Sequence, residues 1–307
     1  MENIQKELVI VGAGPAGLSA AIYGKRAMFD EVVIETYPYC GGQMKYAGRI
    51  DNYPGFYGIQ GMELAEKFRK HAENLEIPMI EHTVEQIQRK GEGFCVLLDQ
   101  GVHIFSKAVI FATGSTYRKL GIKGEQEFTG HGVSYCASCD GTFFKGKDAA
   151  VIGGGNVALW DAIYLSAVCR KVYLVHRRDE FRAERKLVEE MKRKENIVFL
   201  PHYEVEEISG DECVEQIHLI HNQTGKGRWI PVSGVFAAIG MEAESHLVRE
   251  IAKVDSNGYL IAGEDCRTSV RGLYAAGDVR KKTTRQIVTA TADGACAIHS
   301  LKEDLSR

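Results

Sequence analysis

Glu7-Leu8-Val9-Ile10-Val11-Gly12-Ala13-Gly14-Pro15-Ala16-Gly17 is the stretch whose reading decides the fold. The apolar run up to Val11 has the pattern of a parallel strand buried on both faces. Gly12, Gly14 and Gly17 then form a tight turn that opens a helix, expected from about Pro15 to Ala27, with proline tolerated in its first turn. A second strand, Val32-Val33-Ile34, ends at Glu35. Strand, glycine turn, helix and strand ending in an acid are together the grammar of a dinucleotide-binding unit.

The same grammar returns further along the chain. Ala149-Ala150-Val151-Ile152 reads as a strand, Gly153-Gly154-Gly155-Asn156-Val157-Ala158 as the turn, and a helix runs on to about Ala167. A constant offset of 141 residues carries Gly12 onto Gly153, Gly14 onto Gly155, Gly17 onto Ala158, and Ala21-Ile22-Tyr23 onto Ala162-Ile163-Tyr164. One offset without insertions across strand, turn and helix implies two units of the same construction.

Other elements follow from periodicity. A helix is expected over 61–74 and another over 183–194. Segments 82–89, 93–98 and 102–106 alternate and read as a small antiparallel unit, followed by a separate buried strand, Ala108 to Ala112, ending at Thr113-Gly114. Further alternating strands fall within 197–221, and Val235 to Gly240 mirrors Ala108 to Gly114. A last strand, Gly272 to Ala276, precedes Gly277-Asp278 and a small-residue helix from about Thr284. This last segment supplies what the first unit still lacks. The expected fold is therefore α/β: two Rossmann-like dinucleotide-binding domains, the second inserted into the first. The boundaries expected are 1–115 plus 246–307 for the first and 116–245 for the second. Two chain crossings can act as a hinge.

Composition bounds the function. The 307 residues are 45% hydrophobic and 26% charged, ordinary for a soluble globular protein. A net charge of −3 gives no electrostatic case for nucleic acid or an anionic membrane. No apolar run reaches the ~18 residues a membrane helix needs, and the polar start Met1 to Glu7 does not read as a signal peptide. The expectation is a cytoplasmic protein.

The two turns differ in the ligand they favour. Glu35 stands where a carboxylate accepts hydrogen bonds from ribose hydroxyls. The corresponding position in the second unit is His176, followed by Arg177 and Arg178, with Arg182 nearby. A carboxylate repels a ribose 2′-phosphate and arginines bind one. The first site should take a dinucleotide with a free ribose and the second should prefer NADPH.

Between the two turns lies Cys136-Ala137-Ser138-Cys139-Asp140. Such a pair is redox-active, metal-binding or incidental. Zinc wants a second ligand pair at matched spacing, and the sequence offers only His131 nearby. The redox reading is favoured, because this spacing lowers a thiol's pKa and makes it a nucleophile. Asp140 could shuttle the proton that thiolate formation requires, or simply cap the turn. Of the eight cysteines, the other six (Cys40, Cys95, Cys169, Cys213, Cys266 and Cys296) lie singly and read mostly as small buried hydrophobes.

At this point the chain resembles the low-molecular-weight thioredoxin reductases over its full length. The matching pieces are Gly12 to Gly17, Gly41-Gly42-Gln43, Asn52-Tyr53-Pro54-Gly55, Ala112-Thr113-Gly114, Cys136 to Gly141, Gly153 to Ala158, His176 to Ala183, Gly277-Asp278 and Arg285-Gln286. The resemblance implies FAD in the first site and NADPH in the second, a homodimer, and thioredoxin as final acceptor. It implies that Cys139 lies against the flavin, that Cys136 attacks thioredoxin and that Asp140 is the acid/base. It further implies that the second domain rotates about the two crossings. FAD would be held by Gly12, Gly14, Pro15, Ala16, Gly17 and Glu35. It would also be held by Gly42, Gln43, Asn52, Ala112, Thr113 and Gly114, and by Gly277, Asp278, Arg285, Gln286 and Ile287. NADPH would be held by Gly153, Gly155, Asn156, His176, Arg177, Arg178 and Arg182. Phe143-Phe144 would be thioredoxin anchors, or core. Alternatives are an NADPH-dependent reductase of a glutaredoxin-like or peroxiredoxin-system protein, and a redox-sensing flavoprotein without turnover.

Overall fold

The computed structural model describes residues 3–38, 40–47 and 49–306. The chain divides into two compact units, one made of Met1–Thr116 and Glu242–Arg307, the other of Tyr117–Met241.

The first unit opens with β1 (Asn3–Val11), α1 (Pro15–Arg26) and β2 (Glu31–Glu35). A two-stranded pair, β3 (Arg49–Ile50) and β4 (Ile59–Gln60), leads into α2 (Gly61–Asn74). Then come β5 (Met79–Glu81), β6 (Val84–Lys90), β7 (Gly93–Leu98), β8 (His103–Phe111) and β9 (Ser115–Tyr117). The main sheet has the order β5-β2-β1-β8-β7-β6. Along β1, Leu8 and Ile10 enter one core with α1, while Val9 and Val11 enter another on the opposite face. Both faces are covered, which is why the run shows no polar alternation.

The expected break between 102–106 and 108–112 does not exist. β8 is one strand, and it changes partner along its length. Its first half pairs antiparallel with β7, as in Phe94↔Ser106, while β1 runs parallel along its other edge from Asn3↔His103 to Val11↔Phe111. The alternating hairpin is thus an extension of the parallel sheet.

The second unit begins with β10 (Val133–Ser134) and the short helix α3 (Ala137–Asp140). Next come β11 (Asp148–Ile152), α4 (Asn156–Ser166), β12 (Lys171–His176), α5 (Arg185–Lys192) and β13 (Ile197–Pro201). A meander of β14 (Tyr203–Gly210), β15 (Val214–His221) and β16 (Gly227–Pro231) precedes β17 (Gly234–Ala237). Five strands form a parallel sheet in the order β10-β17-β11-β12-β13, and the meander is a separate antiparallel sheet. Segment 197–201 therefore belongs to the parallel sheet. β16 has no counterpart in the sequence reading, because Gly227 to Pro231 offers only Trp229 and Ile230 as apolar signals. One core fills the space under α4 and α5, and the other lies between sheet and meander.

The chain then returns through β18 (Met241–Ala243) to β19 (Leu273–Ala275) and α6 (Ile287–Leu305). β19 pairs parallel with the second half of β8, as in Leu273↔Val109. α6 packs on α1, where Gly294 sits so close that a Cβ would lie 2.3 Å from Ala16 O. Within the first unit the outgoing and returning segments are tied: Glu244 N donates to Gly114 O (3.1 Å) and Thr113 Oγ1 to Glu244 O (2.7 Å). Within the second, Arg118 N donates to Gly240 O (3.0 Å). Among the described residues no helix is long and apolar enough to cross a membrane.

Candidate active site

In the first unit the glycine turn sits at the ends of β1, β2, β8 and β19. Gly12 has φ +100°, and a Cβ there would lie 2.6 Å from Ala112 O. A Cβ on Gly17 would lie 1.8 Å from Gly12 O, so glycine here is required by backbone packing. Gly14 differs: its Cβ would meet only Gly42 Cα, at 3.8 Å. Glu35 Oε2 accepts from Ala13 N (2.8 Å), which fixes the strand-end acid against the turn. Gly41 N donates to Ala13 O (2.7 Å), bringing Gly42 beside Gly14. Gly277, at φ +79°, rests on Ala16, where a Cβ would come within 2.8 Å of the Ala16 Cβ. Gln43 Nε2 donates to Ser115 O, and Asn52 Nδ2 donates to Gln286 Oε1 (2.8 Å). Thr113 is held by Glu244, and Ile287 packs against the small core around Met44. Sequence positions far apart in the first unit thus converge on one turn.

Two features of this cluster fit a bound dinucleotide. No side chain caps the N-terminus of α1, whose first N–H groups are then available to an anion. Among the described residues, Asp278 Oδ1 and Arg285 Nε are buried without a well-formed hydrogen bond, although a buried polar group ordinarily has one. Burial pushes the Asp278 carboxyl up, against the pull of Lys282, whose Nζ lies 3.5 Å away. Lys282 and Arg280 both bind the buried Asp293, which also accepts from Gly277 N (2.9 Å). This network was not legible in the sequence, since its members are spread from 277 to 293 on loop and helix.

In the second unit, a Cβ on Gly153 would lie 2.4 Å from Ala238 O and 2.8 Å from Ala158 Cβ, and the His176 ring lies over Gly154 where a side chain would otherwise be. Arg182 N donates to Gly154 O (2.8 Å). Asn156 is committed elsewhere, its Oδ1 accepting from Glu184 N (2.9 Å) at the start of α5. No side chain caps α4. The side chains of Arg177, Arg178 and Arg182 are exposed and form no ion pair among the described residues. Burial, and the positive charge of these three arginines, hold the His176 imidazole below its ordinary pKa. Three exposed guanidinium groups, without an ion pair among the described residues, together with an imidazole held below its ordinary pKa suit a phosphate monoester.

Cys136 and Cys139 form a disulfide with their Cα atoms 5.3 Å apart. Cys136 is the N-cap of α3, its carbonyl accepting from Cys139 N and Asp140 N. Asp140 Oδ2 accepts from Ser134 Oγ (2.6 Å), and Cys136 Sγ lies 3.4 Å from Ser138 Oγ. Neither serine was singled out by the sequence. The Phe143-Phe144 pair splits: Phe143 is 72% exposed, whereas Phe144 is 9% exposed, edge-on to Phe236 at 5.3 Å in space left by Gly234. Phe144 is a core residue. Of the single cysteines, Cys95, Cys169 and Cys266 are buried, Cys40 is half-buried, and Cys213 and Cys296 are exposed.

Comparison with known proteins agrees with this arrangement. Residues 6–294 match the family model for pyridine nucleotide-disulphide oxidoreductases. The chain is 39% identical over 306 residues to the thioredoxin reductase of Mycoplasma genitalium, covering 99% of this chain and 96% of that one. It is 38% identical to the thioredoxin reductase of Listeria innocua, covering 97% and 96%. The crystal structure of thioredoxin reductase from Streptococcus pyogenes superimposes with a TM-score of 0.84 at 38% identity, covering 99% of each chain. With that identity sustained along nearly the whole of both sequences, the chain belongs to the pyridine nucleotide-disulphide oxidoreductase family and, within it, to the thioredoxin reductases.

Proposed function

We propose that this chain is an NADPH-dependent thioredoxin-disulfide reductase. The observation that carries the reading is the Cys136–Cys139 disulfide, set at the start of a short helix with a hydroxyl-held carboxylate at its end. The first unit would hold FAD, with its pyrophosphate at the open N-terminus of α1 and Asp278, Arg285 and Gln286 facing the rest of the molecule. The second would hold NADPH, with its 2′-phosphate among Arg177, Arg178 and Arg182. The domain limits expected from sequence, 1–115 with 246–307 and 116–245, are the corresponding assignment. Bound FAD supplies two-electron transfer between the nicotinamide and the disulfide.

The protein's own groups carry the rest. In the reduced pair, the Cys136 thiolate attacks one sulfur of the thioredoxin disulfide, forming a mixed disulfide and releasing a thioredoxin thiolate. The Cys139 thiolate then attacks Cys136 Sγ, restoring the internal disulfide and releasing the second thioredoxin thiolate. Asp140 takes up and returns the proton as thiol and thiolate interchange. Phe143, exposed three residues past Asp140, is the remaining aromatic anchor for the partner. Rotation of the second unit, homodimer assembly and a cytoplasmic location belong to the same proposal, and sedimentation velocity reads the assembly state.

Anaerobic NADPH should bleach the yellow protein, and oxidised thioredoxin should restore its colour. Bleaching without recovery would remove thioredoxin as acceptor and direct the search to a glutaredoxin-like or peroxiredoxin-system protein. Failure to bleach would overturn the NADPH assignment. Cys136→Ser should still be bleached by NADPH yet lose thioredoxin reduction, and retained turnover would sink the dithiol relay.

A further inference from the structure

The carboxylate beside the disulfide is held by a group that the reaction has not so far used. Ser134 ends β10, is 6% exposed, and is fixed by pairing with Phe236 of β17. Its Oγ lies 2.6 Å from Asp140 Oδ2, 3.1 Å from Cys136 N and 3.4 Å from Cys136 O. A serine hydroxyl has one proton to give and two lone pairs to receive with. With Asp140 ionised, the hydroxyl donates to Oδ2 and accepts from Cys136 N. With Asp140 protonated on Oδ2, the carboxyl donates to Ser134 Oγ, and the hydroxyl proton turns to Cys136 O. That carbonyl already accepts from Cys139 N and Asp140 N, so it is the anchor of α3. In both states Asp140 Oδ2 and the Ser134 hydroxyl keep each other as partners.

We propose that Ser134 is a positioning residue for proton transfer at the disulfide, holding Asp140 in one place in both of its protonation states by reversing its own hydroxyl. The inference rests on the acid/base reading of Asp140. Without Ser134 the carboxylate would lose its buried donor in one state and its acceptor in the other, and would have to reorganise at each proton transfer. Ser134 exchanges no proton with the substrate and changes only the geometry of the residue that does.

The test uses full-length holoprotein, reduced to the dithiol and mixed with oxidised thioredoxin in single-turnover experiments. Ser134→Ala should slow the exchange about 10-fold, the lower end of what a hydrogen bond to a charged group is worth. KM for thioredoxin and the rate of flavin bleaching by NADPH should not move, and a general loosening of the unit would change both. In an Asp140→Asn background the same change should cost less than about 2-fold, because the two residues act through one another. If Asp140→Asn is slow while Ser134→Ala is as fast as wild type, or if the two losses multiply, the Ser134 inference is overturned and the role of Asp140 stands. If Asp140→Asn is itself as fast as wild type, the acid/base reading falls and the inference with it. Should Ser134→Ala not fold, Ser134→Thr against Ser134→Val isolates the hydroxyl: Thr should retain the rate and Val lose it, and equal rates would overturn the inference.

Discussion

Glu31 has both carboxyl oxygens buried, with no geometric hydrogen-bond partner among the described residues, at 2% exposure, pressed against the Cα of Gly24 where a Cβ would come within 1.9 Å of Oε2. Burial pushes its pKa up to about 8, with Lys25 pulling the other way. The folded protein therefore holds this proton longer than the unfolded chain, where a glutamate titrates near 4.5. Its favourable contribution is complete below about 4.5 and is lost as pH rises towards 8. Glu31→Gln should flatten the fall in unfolding temperature between pH 5 and 8 by several degrees, at roughly 2–4 °C per kcal/mol for a unit of this size. Identical profiles for the two proteins would mean that the carboxyl is charged in the fold. At the second turn, replacing either Arg177 or Arg178 by alanine should narrow the preference for NADPH over NADH roughly 10- to 100-fold, each charge-assisted contact being worth about 1.5–3 kcal/mol. An unchanged ratio of kcat/KM values would move the phosphate site elsewhere. The arginines were legible because their place follows from a strand end. Glu31 was not, since nothing in its neighbours along the chain announces burial.

Elements were legible where one period runs unbroken. α1, α2, α4, β2, β11, β12 and β19 lie within a residue or two of their expected limits, whereas β1 starts at Asn3 rather than Glu7, β17 ends at Ala237 rather than Gly240, and β5 and β10 were not expected. Misreadings came where a strand changes partner, as β8 does, or where the apolar signal is thin, as in β16. The expected helix start near Thr284 moves to Ile287, because the Gln286 and Thr289 side chains form a capping box that fixes the first turn there. The glycine turn of the first unit allows two roles to be told apart. Gly17→Ala places a methyl into the Gly12 carbonyl and should disturb the fold itself, lowering the unfolding temperature even without flavin. Gly14→Ala has room in the protein and should fold normally, but bind FAD at least 10-fold more weakly, because the space it fills is where the pyrophosphate must approach. Flavin titration of the two apoproteins separates them. Unimpaired binding by Gly14→Ala would relocate the pyrophosphate. The second unit tolerates Ala158 at the position equivalent to Gly17, fully buried in its core, so equivalent positions in the two turns pack differently.

The second unit is one continuous stretch with its own cores and with its two ends tied by the Arg118–Gly240 hydrogen bond. Residues 117–241 expressed alone should unfold cooperatively and form the Cys136–Cys139 disulfide, as followed by circular dichroism and thiol titration. A non-cooperative fragment would show that the cores depend on the rest of the chain. Residues 1–116 alone should not fold, since α6 covers α1 and β19 completes the edge of β8. The terminal strand and helix, which the sequence leaves without a sheet of their own, pair and pack within the first unit.

That division also sets an order of manufacture. As the chain leaves the ribosome, its first unit stalls unfinished, with the face of α1 and half an edge of β8 bare, while the second emerges whole and can close over its own cores. Joining the ends of so long an insert costs little, because they already lie side by side. Only when the last helix is released can α1 be covered. A transcript cut short before Leu273 would thus make a protein with a sound disulfide unit beside a first unit that never closes.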